Sequence, residues 1–419
     1  MSRFFRTALY LLSFGFARGT LFVAPIFLAN SLSARAYGTI EWAHAAGSLA
    51  ATIAAFGTAS ALPLVELKRT DLGSQVAIYM HHMMMALLCF IFVAGAKFFG
   101  YGIAIQMAAL LSLAIALQSL WSIHLKSHGK GEASLLLDAA LFSVMAVVAV
   151  SANFFQVIDG LNWIFWSLMA YVLCLTSFTG ILIIGRLRAG DSLVYWETLR
   201  LGMPLMIGAM VTIAATTSGR LVIGYVGGVL LTADYAILAR AAALPIVAHQ
   251  VILVAKFRQL YVLPDIEMEK IILLILSLVA LSVIGFWALI PYIGWMLGAV
   301  FVKVYSANTL IAILILAQTI LWSGISLNDT VNTRQQTMLK VLPWSILALL
   351  LSIPVAIFLI RVVGITLLHF VYIHGLVMFL FYLVQVLAMY FAGIRLWRPW
   401  AFAVLSYSFL IALASLVYQ

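Results

Sequence analysis

Charge is what this 419-residue chain has least of. Asp, Glu, Lys and Arg together make up 9% of it, where soluble domains carry about 25%, so a water-soluble globular fold is excluded. Acidic residues are scarcer still, 13 against 23 Lys and Arg, for a net charge of +10. No basic stripe on a soluble face carries that charge, which argues against a nucleic-acid partner. The two cysteines, Cys89 and Cys174, both lie inside apolar runs, so no disulfide framework is implied and each reads as a small core residue. Enzyme signals are missing: there is no nucleotide-binding Gly-rich loop, no His-Glu-x-x-His and no paired carboxylates in an outer loop. The outer connections are too short to house a catalytic domain. A non-enzyme with no cofactor and no metal is the expectation.

What is present is apolar. Residues of the set AVILMFWYC form 65% of the chain, and mean hydropathy is +1.16. The 26 Phe, 16 Tyr and 11 Trp exclude disorder. Runs of spanning length fall near 8–32, 39–64, 76–99, 101–125, 133–155, 162–185, 201–226, 232–255, 271–297, 305–327, 341–362, 365–393 and 400–418. Continuous runs near 20 residues are membrane helices rather than alternating barrel strands. The first is long enough to span, so it reads as a helix and not as a cleavable signal peptide. The chain is therefore expected to be an all-α polytopic membrane protein.

Alternate loops differ in Lys and Arg. Every loop of the set that includes the N-terminus carries at least two, among them Lys68, Arg69, Lys126, Lys130, Arg186, Arg188, Lys256 and Arg258. The other set holds only Arg35, Lys97, Lys303 and Arg361. By the positive-inside rule the N-terminus is cytoplasmic, and thirteen spans leave the C-terminus outside. The longest inner connection, about 186–200, divides the first twelve spans into two sets of six with the same orientation. That pattern suggests parallel repeats. The expected organisation is an N-terminal six-helix lobe over 1–190, a second over 196–395, a central cleft, and an additional C-terminal helix over 399–419. Ala36-Tyr37-Gly38-Thr39-Ile40 and Asp234-Tyr235-Ala236-Ile237-Leu238 open corresponding spans. Superposing Tyr37 on Tyr235 puts Arg18 on Thr216, four residues before Arg220, and Glu41 on Ala239.

Three basic residues, Arg18, Arg220 and Arg240, lie inside spans. A mid-span Arg costs about 2.5–3.5 kcal/mol on insertion scales, so it faces a cavity or a partner. The alternative is that Arg220 and Arg240 snorkel to the interface and Arg18 caps buried carbonyls. Around Arg220, Gly208, Thr212, Thr216 and Gly224 form a small, hydroxyl-rich stripe that reads as a face turned from lipid. Thr212, Thr216 and Glu41 are candidate cleft-lining residues. Asp138 is a candidate ion-coupling site, its plainer reading being a carboxylate near the inner interface. The histidines His44, His81, His82, His249, His369 and His374 show no consistent metal-ligand spacing and read as packed or hydrogen-bonded groups.

The motifs Leu32-Ser33-Ala34-Arg35-Ala36-Tyr37-Gly38-Thr39, Ala55-Phe56-Gly57-Thr58-Ala59, Leu201-Gly202-Met203-Pro204-Leu205, Ser218-Gly219-Arg220-Leu221-Val222-Ile223-Gly224-Tyr225 and Val363-Gly364-Ile365 resemble those of polysaccharide (O-antigen, Wzx-type) flippases. These flippases belong to the MOP (multidrug/oligosaccharidyl-lipid/polysaccharide) superfamily. The family often has Asp where Gly219 stands, and its members have twelve or fourteen helices rather than thirteen. The resemblance implies alternating-access flipping of an undecaprenyl-pyrophosphate-linked oligosaccharide across the bacterial cytoplasmic (inner) membrane, in O-antigen or lipopolysaccharide synthesis. Membrane lipids and polysaccharide polymerases would be the partners. Independently, intramembrane arginines with few buried acids suit an anionic headgroup, because guanidinium forks bind phosphate oxygens bidentately. Arg18, Arg220 and Arg240 are the expected headgroup ligands. A MATE-like small-molecule exporter is the alternative, and a membrane-embedded polymerase or glycosyltransferase a third reading.

Overall fold

The computed structural model describes residues 3–66, 72–155, 159–184, 192–246, 264–335 and 337–418, and every described regular element is a helix. Lys68, Arg69, Arg186, Arg188, His249, Lys256 and Arg258 lie outside the described residues. Twelve described helices are long and apolar enough to cross a membrane, so the chain is a multi-pass membrane protein. In hydrocarbon each backbone N–H and C=O must find its partner within its own segment, which is why these apolar runs are helical throughout.

The chain divides into two compact units, Met1–Ile213 and Ala214–Gln419. The first holds α1 (Arg3–Ser31), α2 (Ala34–Ala54), α3 (Thr58–Leu64), α4 (Leu72–Phe98), α5 (Ile103–Ser127), α6 (Gly131–Phe154) and α7 (Gly160–Ile184). It also holds the start of α8 (Ser192–Ala242). Its centre is α5, which packs against α2, α3, α4, α6 and α7, while α1 lies on α6. Between α1 and α2 the chain turns within two residues, and the Ser33 hydroxyl accepts the Ala36 N–H at 3.2 Å to cap α2. Helix α2 approaches α5 closely enough that a Cβ on Gly47 would stand 2.9 Å from the Ala108 carbonyl.

The second unit continues α8 and adds α9 (Asp265–Ile293), α10 (Ala299–Ala307), α11 (Thr309–Arg334), α12 (Met338–Val363), α13 (Leu367–Phe391) and α14 (Trp397–Val417). Here α11 is central, in contact with α9, α10, α12, α13 and α14. Of its most apolar stretch 83% is buried, against 11% for α12. Leu347, Leu350, Leu351, Val355 and Phe358 of α12 are exposed, which suits a face against acyl chains.

One feature differs from the sequence expectation. The run 39–64 is not one helix: α2 ends at Ala54, and left-handed Phe56 (φ 51) and Gly57 (φ 67) precede α3. Helix α2 is also not among the twelve apolar spans. Its sequence is rich in small residues and carries Arg35, Glu41 and His44, which lowers its hydropathy. The division between the two compact units falls inside α8. The start of α8 is bound into the first unit through Tyr195, whose hydroxyl meets His81 Nδ1 at 2.9 Å. Gly202 adds to this, packed so tightly on Phe56 and Gly57 that neither glycine has room for a side chain. Helix α14 buries Trp400, Ala403, Tyr407, Leu410 and Ala414 against its own unit.

Candidate functional site

Helix α8 is interrupted at Gly228, whose φ of 77° and ψ of −179° lie in a region essentially closed to residues with a Cβ. The chain folds back there. In a straight helix Gly219 and Tyr235 would be about 24 Å apart, yet they touch: a Cβ on Gly219 would collide with the Tyr235 ring.

The hairpin brings Arg220, on its first arm, and Arg240, on its second, to one cavity of about 110 Å3 within the second unit. Tyr235, Gln318 and Trp322 line it with them, and His374 closes one wall. Two guanidinium-bearing residues and no Asp or Glu are among its described lining residues. Tyr235 is held by edge-on contacts with Phe370 and His374, at centroid separations of 5.3 and 6.2 Å.

The polar wall is fixed by a chain of hydrogen bonds. Gln318 Nε2 donates to the Val371 carbonyl at 3.0 Å, which turns Oε1 toward His374 Nδ1, also at 3.0 Å. An amide oxygen only accepts, so His374 carries its proton on Nδ1. Nε2 then meets the Ser218 hydroxyl at 3.3 Å. Both ring nitrogens are engaged, and His374 acts as a rigid wall, in keeping with the packed role read from the sequence. Behind it lies a narrow crevice of about 20 Å3 lined by Val222, Ile353, Phe370, Met378 and Phe381. His374 and Met378 line both spaces, so a polar cavity adjoins an apolar one.

None of the other expected residues is among the described residues that line the cavity. The side chains of Arg18 and Thr216 lie outside the described residues. Thr212 does not line the cavity; its hydroxyl donates to the Gly208 carbonyl at 3.3 Å. Glu41 is buried in α2 of the first unit at 1% exposure. Asp138 Oδ2 pairs with Lys126 Nζ at 3.2 Å, with both side chains accessible. The sequence reading passed over Gln318, Trp322 and Tyr235 as lining residues. Gln318 offered a signal, an amide in the middle of an otherwise apolar span.

The helices and the hairpin give a fold shared with transporters of the MOP superfamily. The chain superposes on the lipid II flippase MurJ in an inward closed conformation with a TM-score of 0.60 at 11% identity, over 98% of each chain. An inward-facing multidrug resistance MATE family transporter of the MOP superfamily gives 0.56 at 13% identity, over 90% of this chain and 94% of that one. An outward-facing MATE structure gives 0.50 at 13%, over 93% and 94%. At these identities the likeness is one of fold. No family model and no curated protein matches the chain.

Proposed function

We propose that this protein is a flippase that moves an undecaprenyl-pyrophosphate-linked oligosaccharide, of O-antigen or related polysaccharide type, from the inner to the outer leaflet of a bacterial cytoplasmic membrane. The observation that carries the reading is the convergence of Arg220 and Arg240 on one cavity without a lining carboxylate among the described residues. Two arginines lining one cavity favour an anion, and phosphate oxygens match the guanidinium fork. The same pair disfavours the cationic cargo of a drug exporter. An apolar crevice beside the polar cavity suits an amphiphile with a charged head and a hydrocarbon tail. The MurJ-like fold supports a lipid-linked substrate.

Alternating access would carry the headgroup past the bilayer midplane while the prenyl chain stays in lipid. Arg18 would add a third positive group to the route, and polysaccharide polymerases would consume the product. The membrane potential acting on a charged headgroup is a sufficient driving force, since one charge through 100 mV is worth about 2.3 kcal/mol, roughly fifty-fold in leaflet occupancy.

Deletion in the native host tests the reading. The lipid-linked oligosaccharide should accumulate on the cytoplasmic face and be cleared by the wild-type gene. Accumulation of no lipid-linked sugar, with surface polysaccharide intact, overturns it.

A further inference from the structure

A second polar cluster lies in the first unit, apart from the cavity and unused by the proposed transport cycle. Glu66 follows the C-terminus of α3, and His124 and His128 stand one turn apart at the end of α5. Residues four apart share one helix face, which is the spacing by which two histidines on a helix grip one ion. Glu66 Oε1 lies 2.9 Å from His124 Nδ1, and Oε2 lies 3.8 Å from His128 Nδ1. One ligand atom from each residue falls within 4.8 Å of the other two. A tetrahedral ion held at about 2.0–2.1 Å sets its ligand atoms roughly 3.3 Å apart, so adjustments of an ångström or so close the set.

Burial points the same way. The Glu66 side chain is 4% exposed, and its Oε2 has no hydrogen-bond partner among the described residues. Half a carboxylate so buried is costly without a cation. The surroundings are rigid: Leu62, Val65, Ile78 and Leu120 form an apolar floor, and the Trp121 ring meets His124 edge-on at 5.4 Å. The Tyr79 hydroxyl donates to Glu66 Oε1 at 3.2 Å and lies 2.7 Å from His124 Nδ1, while His128 Nδ1 donates to the His124 carbonyl at 2.9 Å; on binding, the ion replaces these contacts at whichever ring nitrogens it takes. Access is from the His128 side, where the imidazole is 47% exposed.

We propose that Glu66, His124 and His128 bind a divalent transition-metal ion of the Zn2+, Co2+ or Ni2+ class. Two imidazoles and one carboxylate are the donor set these ions favour over Mg2+ or Ca2+. The ion takes the place of the proton between His124 and Glu66, which leaves to solvent. A fourth position stays open on the exposed side. Bound metal would clamp the end of α3 to the end of α5.

The test uses the full chain in detergent micelles, with any polyhistidine tag removed, titrated with Co2+ and followed by its visible d–d absorption. Wild type should bind one equivalent with the intense bands of a four- or five-coordinate site, and Zn2+ should displace it. Glu66→Gln and His128→Ala should each weaken binding at least tenfold and abolish the metal-induced rise in Tm. His128 is exposed, so its replacement leaves the fold intact and decides the matter even where Glu66→Gln fails to fold. Wild type without d–d bands at saturating Co2+, or equal affinity in wild type and His128→Ala, overturns the proposal.

Discussion

Replacing Arg220 and Arg240 is the sharpest perturbation available, because both residues belong to one cavity and no lining carboxylate among the described residues complicates the result. A hydrogen bond to a charged partner is worth about 1.5–3 kcal/mol. At 1.4 kcal/mol per decade, loss of one guanidinium contact to phosphate should weaken binding roughly 10–150-fold. Arg→Lys keeps the charge and loses the fork, so it should fall between Arg and Ala. The assay is binding of undecaprenyl pyrophosphate to protein in nanodiscs, with undecaprenyl alcohol as the reference ligand. The difference between the two ligands isolates the phosphate contribution, since the tail is common to both. Wild type should prefer the pyrophosphate strongly, each Ala variant less, and the double variant hardly at all. If both arginines hold one headgroup, the two losses should be non-additive. A double Ala variant that folds, reaches the membrane at normal level and keeps the full preference would refute the assignment.

Three further outcomes follow from the same geometry. Gly228→Ala forces a side chain into φ 77°, ψ −179° and should cost about 1–3 kcal/mol, read as a lower Tm of the purified protein. Gly219→Ala should also lower Tm by pressing on the Tyr235 ring, and Tyr235→Ala in the same chain should recover part of the loss; a double variant no better than the sum of the two refutes the contact. Gln318→Leu removes two interhelical hydrogen bonds, each about 0.6 kcal/mol in membranes, and strands the His374 Nδ1–H; transport and Tm should both fall, while Gln318→Glu, which keeps the acceptor facing His374, should fall less.

Much of this was legible in the sequence, for reasons that can be named. Run length gave the helices, because lipid offers no alternative to an internally bonded backbone. The gap between the runs 201–226 and 232–255 contains Gly228, where the hairpin turns. Arg220 and Arg240 stood out by the cost of burying charge in hydrocarbon, and they do share a cavity. The break after α2 was hidden, since Ala55-Phe56-Gly57 is as apolar as its flanks and only φ reveals it. Pairings across long separations were hidden too: nothing local joins Gln318 to His374, or Glu66 to His124, which lies 58 positions away. The helical spacing puts Thr212 on the face of Arg220, and its hydroxyl donates back to the Gly208 carbonyl one turn earlier.

Helix α11 shows what the buried polar groups are for. It carries Gln318, Thr319, Ser323, Asn328 and Asn332 in the best-covered span of the second unit. Their stabilisation is modest, since interhelical hydrogen bonds in membranes average about 0.6 kcal/mol. Register is the larger effect. Gln318 engages Val371 and His374 of α13, and about three turns further along Asn328 donates to Gln385 at 3.1 Å, while Gln385 donates to Asp329 at 2.8 Å. Both helices advance together, so they run parallel and are pinned at two levels. Trp400 of α14 donates to Asn328 at 3.2 Å and joins the second level. A slip of α13 by one residue rotates its face by about 100° and breaks both levels at once. Apolar contacts alone, with leucine and isoleucine on every side, would tolerate such a slip far better. The two-level lock therefore sets His374 at one height and one orientation beside Tyr235, and the wall of the arginine cavity follows from it.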